Sequence, residues 1–368
     1  MIRSYKIIGS HASRAVGSSL DLRPPLTAGW SIEYLRSRLP LADETRLFAV
    51  RKRQLLCYDA ATGAELWSVD LRRQGAELHA LWRDQLVFST EARRVRVVAA
   101  ESGEQTAEYR LPRPETPIVI DDRLIALASN SLYAADLRDG RLVWQTPLSI
   151  ESGVTVACLY SASPTHVIVA LSNGTVEGYS LESGKRVWRT RLSLPTSPNG
   201  EAPGEPTGWS FVFEDVVLLR LWSAWALALS IETGEIVWRH QFPRSISDAQ
   251  LYGDRYYVCT TGPTYHVLEA STGRTVLETP LLDVPAKLQK LPVDALFPIL
   301  VSETHVFGGV DPGIVVAFGR ETGRYVWHCQ PKSAGPFQRQ TYFMSVDRRL
   351  YYAEMSGKLH CMEETGPA

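Results

Sequence analysis

Brief polar breaks divide the chain into short, mostly apolar runs. Leu55–Tyr58, Val216–Leu221 and Val315–Phe318 are examples, each a few residues long and rich in β-branched, leucine or aromatic side chains. Runs of this length and composition, bounded by Gly, Asp, Ser and Thr, are typical of strands joined by tight turns. The pattern predicts an all-β protein.

One polar break recurs along the whole chain. It consists of an acidic or hydroxyl residue followed by a glycine, as in Glu232-Thr233-Gly234, and the glycines stand at positions 63, 103, 140, 184, 234, 273, 323 and 366. Glycine permits the positive φ that closes such a hairpin, and the neighbouring side chains satisfy turn amides. The mean spacing of about 43 residues is enough for four strands, so the sequence predicts eight four-stranded units.

Five of the repeats also carry a tryptophan four residues after the turn glycine. The pairs are Gly63 with Trp67, Gly140 with Trp144, Gly184 with Trp188, Gly234 with Trp238, and Gly323 with Trp327. We expect each indole to lie over the turn of a neighbouring unit, where only a glycine leaves room for the ring. The second and sixth repeats keep the turn but have Ala107 and Leu277 in place of the tryptophan.

A four-stranded unit cannot bury both faces by itself, so the units are predicted to pack radially as the blades of an eight-bladed β-propeller. The last repeat stops at its turn and has no fourth strand. We expect the N-terminal segment Ser4–Ile8 to supply that strand and to close the ring. The prediction is a single domain over residues 1–368, with the closing strand and a leader loop in 1–28 and the blades in about 29–366.

The (A/Y)xDxxTGxxxW pattern of these repeats resembles the tryptophan-docking repeat of the PQQ-like (quinoprotein) β-propeller superfamily, and the likeness covers nearly the whole chain. The resemblance implies the same eight-bladed fold. It implies less about function, because the superfamily contains dehydrogenases, outer-membrane assembly lipoproteins and non-catalytic members. Cytosolic propellers that resemble this chain include immunity proteins encoded beside bacterial toxins.

Charge and apolar content narrow the location and the partners. The chain has 39 basic and 40 acidic residues, a balance that argues against nucleic acid as the partner. Its most apolar stretch, Val216–Ile231, is shorter than the roughly 20 residues of a membrane-spanning helix. The five cysteines show no CxxC pair, and the N-terminus lacks the apolar core of a signal peptide. We therefore expect a cytoplasmic protein that contacts no membrane.

The sequence offers little catalytic chemistry. Its eight histidines show no HxH or HExxH spacing, and no GxSxG nucleophile motif is present. Quinone-dependent dehydrogenases of the superfamily are expected to need a calcium site, a catalytic Asp and often adjacent cysteines, and this chain has no adjacent cysteines. We predict a non-enzymatic protein with neither cofactor nor metal. The alternative is a degenerate quinoprotein, an enzyme or small-ligand binder whose ligands converge in the central pore from different blades.

The extra residues of the longer repeats fall between blades, at 193–207, 280–295 and 330–340, and Gly9–Gly29 is placed equivalently before the first blade. These connections are predicted to share one face, opposite the turn glycines, and such loops are suited to binding. The candidate partner-binding residues there are Arg51, Lys52, Arg53, Arg93, Arg94, Lys287, Lys290, Lys332, Phe337 and Arg339. We expect a monomeric propeller that docks an acidic protein partner, and a bacterial toxin held by its immunity protein is one such pair.

Overall fold

The fold was analysed in a computed structural model. The structure describes residues 22–33, 40–51, 53–71, 76–90, 94–111, 115–128, 130–149, 156–162, 165–192, 206–221, 224–262, 264–280, 285, 299–310, 313–330, 343–354 and 357–365. Every regular element in these ranges is a strand or a turn, as the apolar runs predict. No helix of the described residues is long and apolar enough to span a membrane.

The strands form eight four-stranded antiparallel sheets, which confirms the predicted eight-bladed β-propeller. Blades one to four are β2 (Leu41–Ala42), β3 (Arg46–Arg51), β4 (Gln54–Asp59) and β5 (Glu65–Asp70); β6 (Ala76–Trp82), β7 (Gln85–Thr90), β8 (Arg94–Ala99) and β9 (Gln105–Arg110); β10 (Glu115–Ile120), β11 (Arg123–Ala128), β12 (Ser131–Asp136) and β13 (Leu142–Pro147); and β14 (Val156–Ala162), β15 (His166–Leu171), β16 (Thr175–Ser180) and β17 (Arg186–Arg191).

Blades five to seven are β18 (Pro206–Phe213), β19 (Val216–Leu221), β20 (Trp225–Ser230) and β21 (Ile236–Gln241); β22 (Ile246–Tyr252), β23 (Arg255–Thr260), β24 (Thr264–Glu269) and β25 (Thr275–Pro280); and β26 (Ile299–Val301), β27 (His305–Val310), β28 (Ile314–Gly319) and β29 (Tyr325–Cys329). Blade eight combines β30 (Met344–Val346), β31 (Arg349–Ala353) and β32 (Lys358–Glu364) with β1 (Leu26–Glu33).

The blades fall into two compact units of four. One unit is formed mainly by Arg73–Ser245 and contains blades two to five. The other is formed mainly by Ser13–Arg72, Ile246–Glu269 and Arg274–Ala368 and contains blades six, seven, eight and one.

Within each unit the core lies between successive blades. Val167 and Val169 of β15 pack against blade three, whereas Ile168 and Ala170, which alternate with them, pack against blade five. Successive side chains of a strand point to opposite faces, so a strand covered on both sides must be apolar at consecutive positions. This two-sided burial explains the continuous apolar runs of the sequence.

The fourth strand of blade eight is β1, and the prediction that Ser4–Ile8 supplies it is wrong. β1 runs antiparallel to β32, with Leu26 opposite Glu364 and Glu33 opposite Lys358. Ser4–Ile8 lies outside the described residues. The predicted boundary at residue 29 therefore falls inside the closing strand, and Gly9–Gly29 is not equivalent to a connection between blades, because its last four residues belong to β1.

Candidate functional site

Six of the turn glycines, at positions 63, 140, 184, 234, 273 and 323, lie beneath a side chain from the outer strand of the preceding blade. A Cβ atom added to Gly63 would come within 2.6 Å of Trp30 Cδ2, and one added to Gly273 would come within 2.5 Å of Trp238 Cδ2. Trp144 and Trp188 cover Gly184 and Gly234 in the same way. The expectation that an indole lies over a neighbouring turn is thus confirmed for these pairs.

A hydrogen bond fixes each of these rings. The indole Nε1 donates to the carbonyl oxygen of the residue three positions before the covered glycine: 3.0 Å from Trp144 to Leu181, 2.7 Å from Trp188 to Ile231, and 2.9 Å from Trp238 to Ala270. A buried indole N–H needs such an acceptor. We call this arrangement of ring, glycine and carbonyl a joint.

The second repeat keeps its joint with a tyrosine. Tyr109 covers Gly140, and its hydroxyl donates to the carbonyl oxygen of Leu137 at 2.6 Å. Tyr109 is two residues beyond Ala107, and residues two apart in a strand share a face. The second repeat therefore keeps the contact although it lacks the tryptophan.

A threonine two residues after the tryptophan is a further part of the joint. Thr146 Oγ1 donates to the carbonyl oxygen of Gly184 at 2.8 Å, and Thr190 Oγ1 donates to that of Gly234 at 2.7 Å. The sequence analysis missed this residue, although a W-x-T pattern marks it in the third and fourth repeats.

The size of the residue opposite the tryptophan follows a simple rule. In the five repeats with tryptophan the cross-strand neighbour is small: Cys57, Ala134, Gly178, Ala228 and Ala317. The repeats without it have valine there, with Val97 opposite Ala107 and Val267 opposite Leu277. The valine takes up part of the space that an indole would fill.

The sixth repeat has neither a tryptophan nor a substitute ring on its outer strand. Thr279 alone covers Gly323, and the carbonyl oxygen of Arg320 accepts a hydrogen bond from Tyr265 of β24. A cavity of about 300 Å³ remains between blade six and the turn of blade seven. We call it the joint cavity; its lining is Tyr252, Gly253, Asp254, Arg255, Tyr257, Val267, Val276, Leu277, Arg320 and Glu321.

Charges in the joint cavity balance locally. The Arg320 guanidinium lies 5.0 Å from the Tyr252 ring centroid and 2.9 Å from Glu321 Oε1. Arg255 lies 3.5 Å from Asp254 Oδ1 and 3.7 Å from Glu269 Oε1. Burial raises the pKa of Tyr257 to about 12 although Arg320 opposes the shift, so its hydroxyl remains protonated at neutral pH.

Three of the predicted partner-binding residues lie in the described part of the chain. Arg51 and Arg53 flank the β3–β4 hairpin, and the Arg53 carbonyl accepts a hydrogen bond from Leu71 N at 2.8 Å, where β5 ends. The hairpin thus adjoins the start of the connection to the next blade, as expected for one face. Arg94 instead pairs with Glu108, which also binds Arg96 at 2.7 Å.

The other predicted partner-binding residues lie outside the described residues: Lys52, Arg93, Lys287, Lys290, Lys332, Phe337 and Arg339. The basic loop face therefore stays a prediction.

A basic cluster that the sequence analysis missed lies on the outer strand of blade four. Lys185, Arg186, Arg189 and Arg191 occupy β17 and its preceding turn, and all four are exposed. Glu177 is buried beneath them, 3.1 Å from Arg186 Nη1 and 3.5 Å from Arg189 Nε. These four exposed cations lie along one edge strand and the turn before it, and we call this surface the basic strand.

Three of the described thiols are buried. Cys57, Cys259 and Cys361 are free and buried, and burial raises the pKa of Cys57 and of Cys361 to about 12. At neutral pH such groups are thiols and not thiolates, so they are poor nucleophiles and poor metal ligands. Among the described residues no cluster of three His, Cys, Asp or Glu side chains is arranged to hold a metal ion.

Comparisons with known proteins agree with this geometry. A family model described as the outer membrane protein assembly factor BamB matches residues 12–106, 51–220 and 223–366. No curated protein sequence matches the chain.

Solved structures show the same fold at low identity. BamB from Moraxella catarrhalis has a TM-score of 0.64 and 15% identity over 92% of this chain and 100% of its own. The quinohemoprotein alcohol dehydrogenase ADHIIG from Pseudomonas putida HK5 has a TM-score of 0.64 and 12% identity over 97% and 79% of the two chains. Sqt1 from Saccharomyces cerevisiae has a TM-score of 0.63 and 10% identity over 99% of each chain. With its family match and its docked aromatic joints, the chain belongs to the BamB-type family of PQQ-like β-propellers.

Proposed function

We propose that the protein is a non-enzymatic propeller that binds an acidic surface of a protein partner. The observation that carries the proposal is the basic strand, where Lys185, Arg186, Arg189 and Arg191 stand over one buried carboxylate. Clustered cations of this kind steer an acidic partner and fix its orientation.

The position of the basic strand also suits a protein ligand. β17 is the last strand of its sheet and has a hydrogen-bonded neighbour, β16, on one side only. Val187, in the middle of the strand, is 52% exposed. An edge strand offers main-chain donors and acceptors to an added strand, while side chains along it select the partner. Charge on an edge also discourages pairing with a second copy, which leaves it to an oppositely charged chain.

The family match supports binding over catalysis. The matched family is named for an assembly factor, and BamB from Moraxella catarrhalis aligns over its full length. The dehydrogenases align at 12% identity, which supports a shared fold alone.

The experiment compares two charge reversals at equivalent positions. Arg191 ends β17 and Arg110 ends β9, and both are exposed. Tagged wild type, Arg191→Glu and Arg110→Glu are used to capture partners from the native host at two salt concentrations. We expect an acidic protein to be retained by wild type and Arg110→Glu, and lost with Arg191→Glu or at high salt. Equal capture by all three proteins would contradict the proposal.

The more specific part of the proposal is a toxin partner. A monomeric cytoplasmic propeller that occludes a bacterial toxin fits the family resemblance. We expect the neighbouring gene to encode a toxin and co-expression to protect cells from it. A toxin that kills equally with and without the propeller would overturn this part.

The alternative of a pore-bound quinone or metal has its own test. A ligand at 100 times its Kd stabilises a protein by about 2.7 kcal/mol, which thermal unfolding detects readily. We expect no change in melting temperature with calcium and quinone, and a shift of several degrees would favour the enzyme.

A further inference from the structure

We infer that the joint cavity binds a tryptophan side chain supplied by a protein partner, in the position where the other repeats place an indole of their own. The inference deepens the proposed protein-binding function and adds a second contact site, remote in sequence from the basic strand. It can be tested on the purified protein without any partner.

The cavity lies at a repeat that lacks the docked tryptophan. In the fourth repeat Trp188 covers Gly234 and bonds Ile231 O, whereas Leu277 at the same position of the sixth repeat is too short to cover Gly323. Val267, opposite Leu277, occupies only part of the difference. A cavity of about 300 Å³ therefore lies between Leu277 and the turn residues Arg320 and Glu321, and it is at the small end of ligand pockets.

The walls of the joint cavity suit a planar ring. Val267, Val276 and Leu277 provide an apolar side, and Tyr252 and Tyr257 provide two aromatic rings. The Arg320 guanidinium, 5.0 Å from the Tyr252 ring centroid, extends this surface with a cation that attracts the face of an indole. Aromatic pairs and cation–π contacts favour a ring over an aliphatic side chain of equal volume.

The charged residues that line the joint cavity favour a neutral ligand. Arg255 and Arg320 are each within ion-pair distance of a lining carboxylate, Asp254 and Glu321 respectively, so the cavity favours a neutral group over an anion. Both carboxylates are well exposed, 63% for Asp254 and 76% for Glu321, and can accept an N–H at the mouth. The usual acceptor, the Arg320 carbonyl, is already bonded to Tyr265. An N–H donor on a bicyclic ring is the feature that distinguishes tryptophan from phenylalanine.

The joint cavity is accessible from the outer strand. Val276 lines the cavity and is 44% exposed, so an apolar surface continues from the interior to the outer strand. A side chain on a partner's extended segment can therefore enter from outside without opening the blades.

The experiment measures binding of N-acetyl-L-tryptophanamide by saturation-transfer NMR, with N-acetyl-L-leucinamide and anionic N-acetyl-L-tryptophan as comparison ligands. Val267→Ala/Leu277→Trp rebuilds the alanine–tryptophan pair of the third and fifth repeats and fills the cavity. Leu277→Ala keeps the cavity open. We expect the tryptophan amide to bind wild type and Leu277→Ala at least about tenfold more tightly than the leucine amide or the anion, and to lose binding in the double variant.

A second variant covers the case in which the double variant does not fold. Arg320→Gln removes the cation beside Tyr252 and should weaken the tryptophan amide about fivefold while leaving the leucine amide unchanged. No transfer to wild type, or equal binding by wild type and the folded double variant, would overturn the inference. A partner that still depends on Arg191 in the capture experiment would leave the proposed function standing in that case.

Discussion

The joints are close because the turn glycine has a hydrogen atom where other residues have a Cβ. Gly273 has a φ of +68° and lies against the Trp238 ring, whereas Gly253 has a φ of +57° and no heavy atom within 4 Å of its added Cβ. Both glycines belong to blade six. They therefore separate the backbone cost of a side chain at positive φ from the cost of displacing the indole.

We predict that Gly273→Ala destabilises the protein much more than Gly253→Ala. The backbone conformation costs about 1 kcal/mol in either variant. A Cβ 2.5 Å from Trp238 Cδ2 must also displace the ring, at a further cost of about 1–3 kcal/mol. Urea unfolding measures both free energies, and similar values would show that the indole does not restrict this glycine.

His360 gives blade eight a dependence on pH. Its ring stacks on Tyr352 at 4.9 Å, and Nε2 lies 3.3 Å from Glu354 Oε2. Burial lowers the pKa of His360, although Glu354 opposes the shift and Lys358 adds to it. The folded protein thus binds this proton less readily than the unfolded chain.

Stability is therefore predicted to fall as the pH is lowered below about 6.5, the ordinary histidine pKa. The contribution of His360 is complete above that pH, because the residue is then neutral in both states. Burial also lowers the pKa values of His166 and His305, so other groups share this pH dependence with His360. His360→Gln should reduce the slope of melting temperature between pH 6.5 and 5, and parallel slopes for variant and wild type would contradict the assignment.

At the residue scale the sequence predicts the turn glycines and the indoles above them. A turn with positive φ requires glycine, a docked ring requires a large side chain, and the two recur four residues apart. It does not predict Tyr109 as a substitute. Strand alternation allows the ring to move by two residues, and a search at one position overlooks that change.

Two facing strands set the size of the side chains at a joint. Trp188 of β17 lies opposite Gly178 of β16, and a Cβ at Gly178 would overlap the indole. The sixth repeat shows the other solution, Leu277 opposite Val267.

A double-mutant cycle tests this coupling. Trp188→Leu alone removes a buried ring and its hydrogen bond and should cost about 3–5 kcal/mol. Gly178→Val alone should be strongly destabilising because the valine meets the indole. The pair Gly178→Val/Trp188→Leu should be at least about 1 kcal/mol more stable than the sum of the two single effects. Simple additivity, measured by denaturant unfolding, would contradict the size rule.

The basic strand and the joint cavity show why the candidate sites are harder to predict than the strands. The charges of β17 are separated by Val187-Trp188 and by Thr190, so the sequence does not show that two of the arginines share the buried Glu177. The cavity does leave a trace in the sequence, a valine opposite a missing tryptophan. This signal can be recognised only when the strand register is known, because the register places Val267 opposite Leu277.

At the scale of the whole molecule, the first described strand completes the last blade. β1 pairs with β32, and its Trp30 donates to Ala60 O at 3.2 Å in blade one. The repeat spacing predicts that an N-terminal strand does this but does not identify which one. Trp30 precedes every turn glycine, so the tryptophan of blade eight is separated from the rest of its repeat by most of the chain.

Removing residues 1–33 is predicted to abolish cooperative unfolding, because it exposes the edge of β32 and leaves Gly63 uncovered. Removing residues 2–21 keeps β1 and serves as the control, with a melting temperature close to that of the full chain. A peptide covering residues 22–33 should restore the transition of the shorter protein when added in trans. Calorimetry and gel filtration measure both effects, and a cooperative, monomeric protein lacking 1–33 would refute the role of β1.

The carbonyl that accepts the hydrogen bond at each joint has an evolutionary consequence. Its donor is an indole in several repeats, but it is a phenol from the outer strand at Leu137, from the third strand at Arg320, and from the second strand, alongside Trp30, at Ala60. The acceptor is a main-chain oxygen, which every residue type retains, so donors of different type and from different strands can make the same contact. Repeats of this kind can be duplicated or exchanged as whole genetic modules, since each presents its neighbour with the same invariant half of the contact.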